Sequence, residues 1–152
     1  MNIGDKAPEI LGHDENGNEI RLSDFKGRKL VLYFYPKDLT SGCTTEACNL
    51  RDNYTKLKEL GYEVIGASVD DGKQHLKFIA KNELPFHLIA DTEKTLVEQF
   101  GVWGEKKMYG RTYMGTFRTT FIIGENGVIE RIISPKEIKV KNHAEQIIGE
   151  QK

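Results

Sequence analysis

An α/β fold, with a central mixed β-sheet flanked by helices, is predicted by three observations on this 152-residue chain. Two runs, "KLVLYFY" and "YEVIGASV", are almost continuously apolar, as strands covered on both faces are. Segments whose apolar residues recur every three or four positions alternate with these runs. Towards the C-terminal end, "TTFIIGENGVIERII" reads as two strands joined at Asn126-Gly127, adding an antiparallel pair to an otherwise β-α-β order.

The elements follow in order. "NGNEIRLSDFKG" reads as a turn, a short strand over Glu19 to Leu22 and a second turn, and "RKLVLYFYP" as a buried strand. From Cys43 to Leu60 the spacing of Ala47, Leu50, Tyr54 and Leu57 predicts one helix, stopped by Gly61. "YEVIGASV" is the next strand, "DGKQHLKFIAKNEL" a helix stopped near Pro85, "FHLIAD" a third strand, and "TEKTLVEQFG" a short helix that Gly101 caps. After the Asn126-Gly127 hairpin, "KEIKVKNHAEQIIGE" is compatible with a closing helix. Val102 to Phe117 has no clear period and is expected to be a packed loop. Its Trp103, Met108, Tyr109, Tyr113, Met114 and Phe117 are read as packing side chains or a pocket wall, since aromatic residues mainly supply buried area.

One domain spanning 1–152 is expected, able to bury roughly two-thirds of its extended surface. Lys and Arg total 22 against 23 Asp and Glu, a formal charge of -1 with the signs mixed, which argues against a polybasic nucleic-acid or membrane partner. "MNIGDKAPEI" lacks the basic start and apolar core of a signal peptide, and no apolar run approaches the roughly 20 residues that span a bilayer, so a cytoplasmic protein is expected. In a reducing compartment two cysteines are free, catalytic or transiently bonded rather than a permanent staple.

Both cysteines lie in "PKDLTSGCTTEAC", directly after the first buried strand. Cys43 sits where that strand gives way to a helix, and the first-turn amides of a helix favour a thiolate, so Cys43 is the favoured nucleophile. Thr40 can turn its hydroxyl toward the sulfur or toward an oxygen bound there, Gly42 permits close backbone approach, and Pro36 fixes the exit from the strand. Phe34 and Tyr35 are expected to line the strand end below Cys43. On one regular helix Cys43 and Cys48 stand about 140° apart with Cα atoms about 8.6 Å apart. A disulfide needs roughly 4.4 to 6.8 Å. Either the two thiols never react with each other or the helix unwinds during turnover.

Other readings compete. Two small buried hydrophobes would explain neither the strand-to-helix placement nor the threonine. No cofactor or metal is expected, because a zinc site needs about four ligands while His13, His75, His87 and His143 are scattered singly. Thioredoxin-like disulfide exchange is the alternative function, although it normally uses C-x-x-C where this chain has C-x-x-x-x-C.

The chain resembles the peroxiredoxins, and within them the bacterioferritin comigratory protein (BCP/PrxQ) subfamily. Pro36-Lys37-Asp38-Leu39-Thr40-Ser41-Gly42-Cys43 matches the family's Pro-x-x-x-Thr/Ser-x-x-Cys, and the subfamily pattern continues through Thr44, Thr45, Glu46, Ala47, Cys48, Arg51 and Asp52. "GDKAPEI", "LSDFKG", "YGRTYMGTFRTTFII" and "VKNHAEQII" extend the match over nearly the whole chain. Ser41 departs from it, standing where the subfamily usually has proline. The resemblance implies a thioredoxin-like fold with peroxiredoxin insertions, reduction of hydrogen peroxide and organic hydroperoxides, and thioredoxin or a similar dithiol protein as reductant. It implies Cys43 as peroxidatic thiol, Cys48 as resolving thiol on the same helix, Thr40 bonding the thiolate and peroxide, Pro36 shielding the sulfenic acid, and Arg118 beside the sulfur. Glu46 is expected to orient Arg118, whose buried charge needs a partner; the competing readings are a Glu46 that answers the helix dipole and an Arg118 that reaches solvent from the strand end, and His143 is expected to be an ordinary residue of the last helix. Resolution within one chain fits a monomer.

Overall fold

The computed structural model describes residues 1–149. The described residues form nine strands and five α-helices. The central sheet has the order β5-β4-β3-β8-β9, built from β3 (Lys29–Phe34), β4 (Tyr62–Ser68), β5 (Leu88–Ala90), β8 (Thr119–Ile123) and β9 (Ile129–Ile133). β3, β4 and β5 run parallel, whereas β8 and β9 run antiparallel to their neighbours, so the sheet is mixed as expected.

Alternate residues of β3 feed two apolar layers. Val31, Tyr33 and Tyr35 face a layer completed by α1 (Ser41–Asp52), α2 (Tyr54–Glu59), α3 (Gly72–Asn82) and α5 (His143–Gly149) through Leu50, Leu57, Phe78 and Ile147. Leu30, Leu32 and Phe34 face the opposite layer, which holds α4 (Thr95–Gln99) and the β1–β2 hairpin (Ile10–His13 with Glu19–Arg21). Tyr33 fits its layer because Gly66 lies opposite it. A Cβ there would stand 2.9 Å from the tyrosine ring and 2.7 Å from Leu88 Cδ2.

Three expectations are corrected, and one strand is added. The single helix over Cys43 to Leu60 is two helices, starting at Ser41 and broken at Asn53. Asn53 Nδ2 donates to the carbonyl of Asn49 at 2.9 Å, and this local bond competes with continuation of the helix. Ile10–His13 is the added strand, paired with β2 through a bulge between Ile10 and Gly12. Val102–Phe117 is largely a hairpin, β6 (Trp103–Met108) with β7 (Arg111–Thr116), turning at Tyr109-Gly110, where both residues have positive φ (53° and 76°). Within it Trp103 and Phe117 are partly buried, but Met108, Tyr109, Tyr113 and Met114 are exposed, Tyr109 by 97%. The packing reading therefore fails for Met108 and Tyr109, whereas Tyr113 and Met114, though exposed, line a cleft, as the pocket-wall reading expected.

Candidate active site

Antiparallel pairing of β3 with β8 aligns Phe34 with Thr119, so the residue just before β8 arrives beside the carboxyl end of β3. That residue is Arg118. α1 starts at the same end, with Thr40 as its N-cap and Cys43 in its first turn. Cys43 is 1% exposed and shares a layer with Tyr33 and Tyr35, whereas Phe34 points to the other face and does not line the site.

Arg118 joins the predicted residues into one constellation. Its Nη2 donates to Cys43 Sγ at 3.3 Å and its Nη1 to Glu46 Oε1 at 2.6 Å. Gly42 permits this approach, since a Cβ on it would lie 3.3 Å from Nη2. Burial disfavours the guanidinium charge, but Glu46 and Cys43 outweigh it and hold the Arg118 pKa raised. Glu46 is fully buried. Burial pushes its carboxyl up to about 7 against the pull of Arg118, and the geometry explains why: Oε2 has no hydrogen-bond partner among the described residues.

His143 lies beneath this pair, with Nε2 3.7 Å from Glu46 Oε2. Thr120 Oγ1 stands 2.7 Å from Nε2 and Gln146 Oε1 3.1 Å from Nδ1, contacts that one neutral tautomer satisfies if Thr120 donates and Nδ1–H is given to Gln146. Burial lowers the His143 pKa to about 4, so the ring has no proton to offer Glu46 near neutrality. His143 is thus the buried first residue of α5, packed against the site, rather than an incidental helix position.

The loop from Pro36 to Thr40 is fixed from below. Asp38 accepts from the Tyr35 hydroxyl at 2.5 Å and meets His75 Nδ1 at 2.5 Å, while its amide donates to Asp70 Oδ2 at 2.8 Å. His75 Nε2 lies 2.8 Å from the Ile89 carbonyl and must carry the proton there, since a carbonyl only accepts. Burial opposes charge on His75, but Asp38 outweighs it and raises the pKa. This anchorage holds Leu39 at φ 65°, a left-handed conformation uncommon for a branched side chain. Thr40 follows, exposed, and its hydroxyl donates to the Lys37 carbonyl at 2.7 Å rather than to the sulfur.

Pro36 and Lys37 border a cleft of about 270 Å³ whose other walls include Val69, Trp103, Lys106 and Met114. Lys106 donates to the Thr116 carbonyl at 2.8 Å, and its pKa is lowered by burial and by Arg118. It is a second cation near the thiol that nothing in its sequence context singles out. Cys48 faces away from Cys43, with Sγ 3.6 Å from Asn82 Oδ1 at the end of α3, and both cysteines are free thiols. The histidines that looked isolated meet carboxylates in space, as His87 with Asp14 and Glu15 and His75 with Asp38 and Asp70. Glu15 and Asp70 are already engaged by protein donors at Leu88 and Asp38.

Residues 3–132 match the AhpC/TSA family. The chain belongs to this family of peroxiredoxins. Peroxiredoxin Bcp of Bacillus subtilis is 45% identical over 149 residues, covering 97% of this chain and 93% of its own. A PrxQ variant from Xylella fastidiosa superposes with a TM-score of 0.89 at 35% identity, over 99% of this chain and 95% of that one. The bacterioferritin comigratory protein of Xanthomonas campestris, solved in a study of its alkyl peroxide reduction activity, gives 0.84 at 31% identity over 96% of both. The peroxiredoxin therefore has the thioredoxin-like fold and is a thiol peroxidase. No helix among the described residues of this peroxiredoxin is long and apolar enough to cross a membrane.

Proposed function

We propose that Cys43 is the peroxidatic thiol, reducing hydrogen peroxide and organic hydroperoxides, and that Cys48 resolves it within the same chain. The observation carrying this reading is the division of the Arg118 guanidinium between Cys43 Sγ and Glu46 Oε1. The Cys43 thiolate attacks the near peroxide oxygen: an S–O bond forms, the O–O bond breaks, and the departing hydroxide or alkoxide takes a proton to leave as water or alcohol. Charge on the breaking bond is stabilised by Arg118 and by the amides of Gly42 and Cys43, which have no intrahelical partner in a first turn. Glu46 orients Arg118 through its 2.6 Å bond. Thr40 contributes once its hydroxyl leaves the Lys37 carbonyl for bound peroxide, and Pro36 shields the sulfenic acid at the rim of the cleft.

The sulfenic acid on Cys43 condenses with Cys48 to a disulfide and water, which requires α1 to unwind locally, because a regular helix holds the two Cα atoms about 8.6 Å apart. Thioredoxin or a similar dithiol protein then reduces the disulfide by exchange. The whole chain acts as one domain and, since resolution needs no second subunit, as a cytoplasmic monomer.

Peroxide consumption coupled to thioredoxin tests the roles. Cys43→Ser is expected to abolish it, and undiminished turnover would remove Cys43 from the mechanism. Cys48→Ser is expected to retain one round of sulfenic acid formation while cycling slows, and peptide mass mapping of oxidised wild type is expected to find a Cys43–Cys48 bond. A purely intermolecular bond would point to a dimer-based cycle instead.

A further inference from the structure

α1 is tied to its surroundings unevenly along its length. Its second half is clamped on two sides. Asn49 Oδ1 accepts from the Ala144 amide at 2.7 Å, while its Nδ2 donates to the Lys141 carbonyl at 2.9 Å and to Glu145 Oε2 at 3.3 Å, so a side chain of α1 caps the start of α5. On another side Arg51 Nη1 donates to the Asn82 carbonyl at 2.7 Å, and Cys48 Sγ lies against Asn82 Oδ1. Leu50, fully buried, packs in the core beside both clamps.

The first turn is held differently. Its polar ties beyond the active-site loop go to Arg118, from Cys43 and Glu46. It also keeps Glu46 Oε2 buried without a donor, a desolvation cost that unwinding relieves. Gly42, in the same turn, is a poor helix former. The two ends of this helix thus differ in what unwinding would break.

We propose that Asn49, and Arg51 through the Asn82 carbonyl, keep the Cys48 half of α1 wound as a fixed receiver, so that only Ser41 to Glu46 unwinds and carries oxidised Cys43 to it. The inference rests on Cys43 being the peroxide-reactive thiol and Cys48 its resolver. Unwinding Ser41 to Glu46 frees the backbone dihedrals between the two cysteines, so Cys43 can swing to within the roughly 4.4 to 6.8 Å between Cα atoms that a disulfide needs without moving Cys48. In the closing step the Cys48 thiolate attacks the Cys43 sulfur, the S–S bond forms and the S–O bond breaks. The hydroxide that leaves takes the proton Cys48 has given up, and one sulfur is oxidised as the other is reduced. Asn49 and Arg51 are positioning residues and touch no reacting atom of the peroxide step.

Hydrogen-exchange mass spectrometry on reduced and peroxide-oxidised protein tests the asymmetry. Protection is expected to fall over 41–46 and to persist over 48–52 and 143–149. Asn49→Ala is expected to leave the rate of Cys43 oxidation unchanged but to slow disulfide closure about tenfold, the scale of one lost cap, with more sulfinic acid formed. Asn49→Asp, whose second carboxylate oxygen faces the Lys141 carbonyl and Glu145 Oε2 where Nδ2 donated, is expected not to restore closure, and Arg51→Ala, which removes the donor to the Asn82 carbonyl, is expected to slow it independently. Exchange spread over all of α1 and the start of α5, or unchanged closure in both alanine variants, overturns the inference while sulfenic acid still forms on Cys43. Failure to trap any sulfenic acid on wild-type Cys43 with dimedone overturns the peroxidase assignment beneath it.

Discussion

Arg118 brings one cation into contact with both a thiol and a carboxylate, and neither arm of its fork is replaceable by a point charge. Removing one preorganised donor of this kind lowers turnover by about 10² to 10³ in other enzymes. Arg118→Ala is therefore expected to cut kcat/KM for hydrogen peroxide by about that factor, and Arg118→Lys to recover only part of it. Stopped-flow measurement of peroxide-driven Cys43 oxidation checks this, and a loss below about tenfold in Arg118→Ala would place the charge stabilisation elsewhere. The grouping of Cys43, Pro36, Thr40 and Glu46 around the start of α1 was legible because they share one local stretch at the tip of a buried strand. Arg118 was legible mainly through resemblance. His143 and Lys106 were not, since each reaches the site through tertiary packing that no local pattern encodes, as the 3.7 Å approach of His143 to Glu46 across 97 positions illustrates. Thr40 was misjudged in its resting contact, because the left-handed Leu39 turns the loop so that a backbone carbonyl takes the hydroxyl.

Among the elements, β3, β4 and β8 were readable because burial on both faces leaves a continuous apolar run, and Asn126-Gly127 names the turn into β9. The β6–β7 hairpin escaped notice for the opposite reason: water reaches both faces, so no period forms, and Tyr109 occupies a turn position usually held by Asn or Gly. β1 is short and interrupted by a bulge between Ile10 and Gly12. The break at Asn53 depends on a side-chain bond rather than on hydrophobic spacing. Inside β4 one atom decides the packing of the site-facing layer. Gly66→Ala would drive a methyl to 2.7 Å from Leu88 and 2.9 Å from Tyr33, both fully buried, and is expected to cost about 1–3 kcal/mol. A urea midpoint equal to that of wild type would mean that these side chains yield freely.

At the scale of the whole molecule, buried titrating groups set how stability varies with pH. The Glu46 carboxyl stands at about 7 when folded and near 4.5 when free, so between those values the folded state holds a proton that the unfolded state has released. Stability from this group therefore falls as pH rises through that window, by up to about 3 kcal/mol. His143, lowered to about 4, acts in the other direction and removes stability as pH falls from 6.5 toward 4. Denaturation of wild type beside Glu46→Gln separates the two: the variant is expected to match wild type near pH 4.5 and to exceed it at pH 8. A wild type that gains on the variant as pH rises would reverse the assigned sign. The hairpin that left Met108 and Met114 more than half exposed carries a chemical consequence of its own. A thioether in water accepts one oxygen from a hydroperoxide, so the enzyme presents to its own oxidant two sites that become sulfoxides, each adding the same mass as a sulfenic acid. Peptides from β6 and β7 would carry that mark while those from α1 carry the catalytic one.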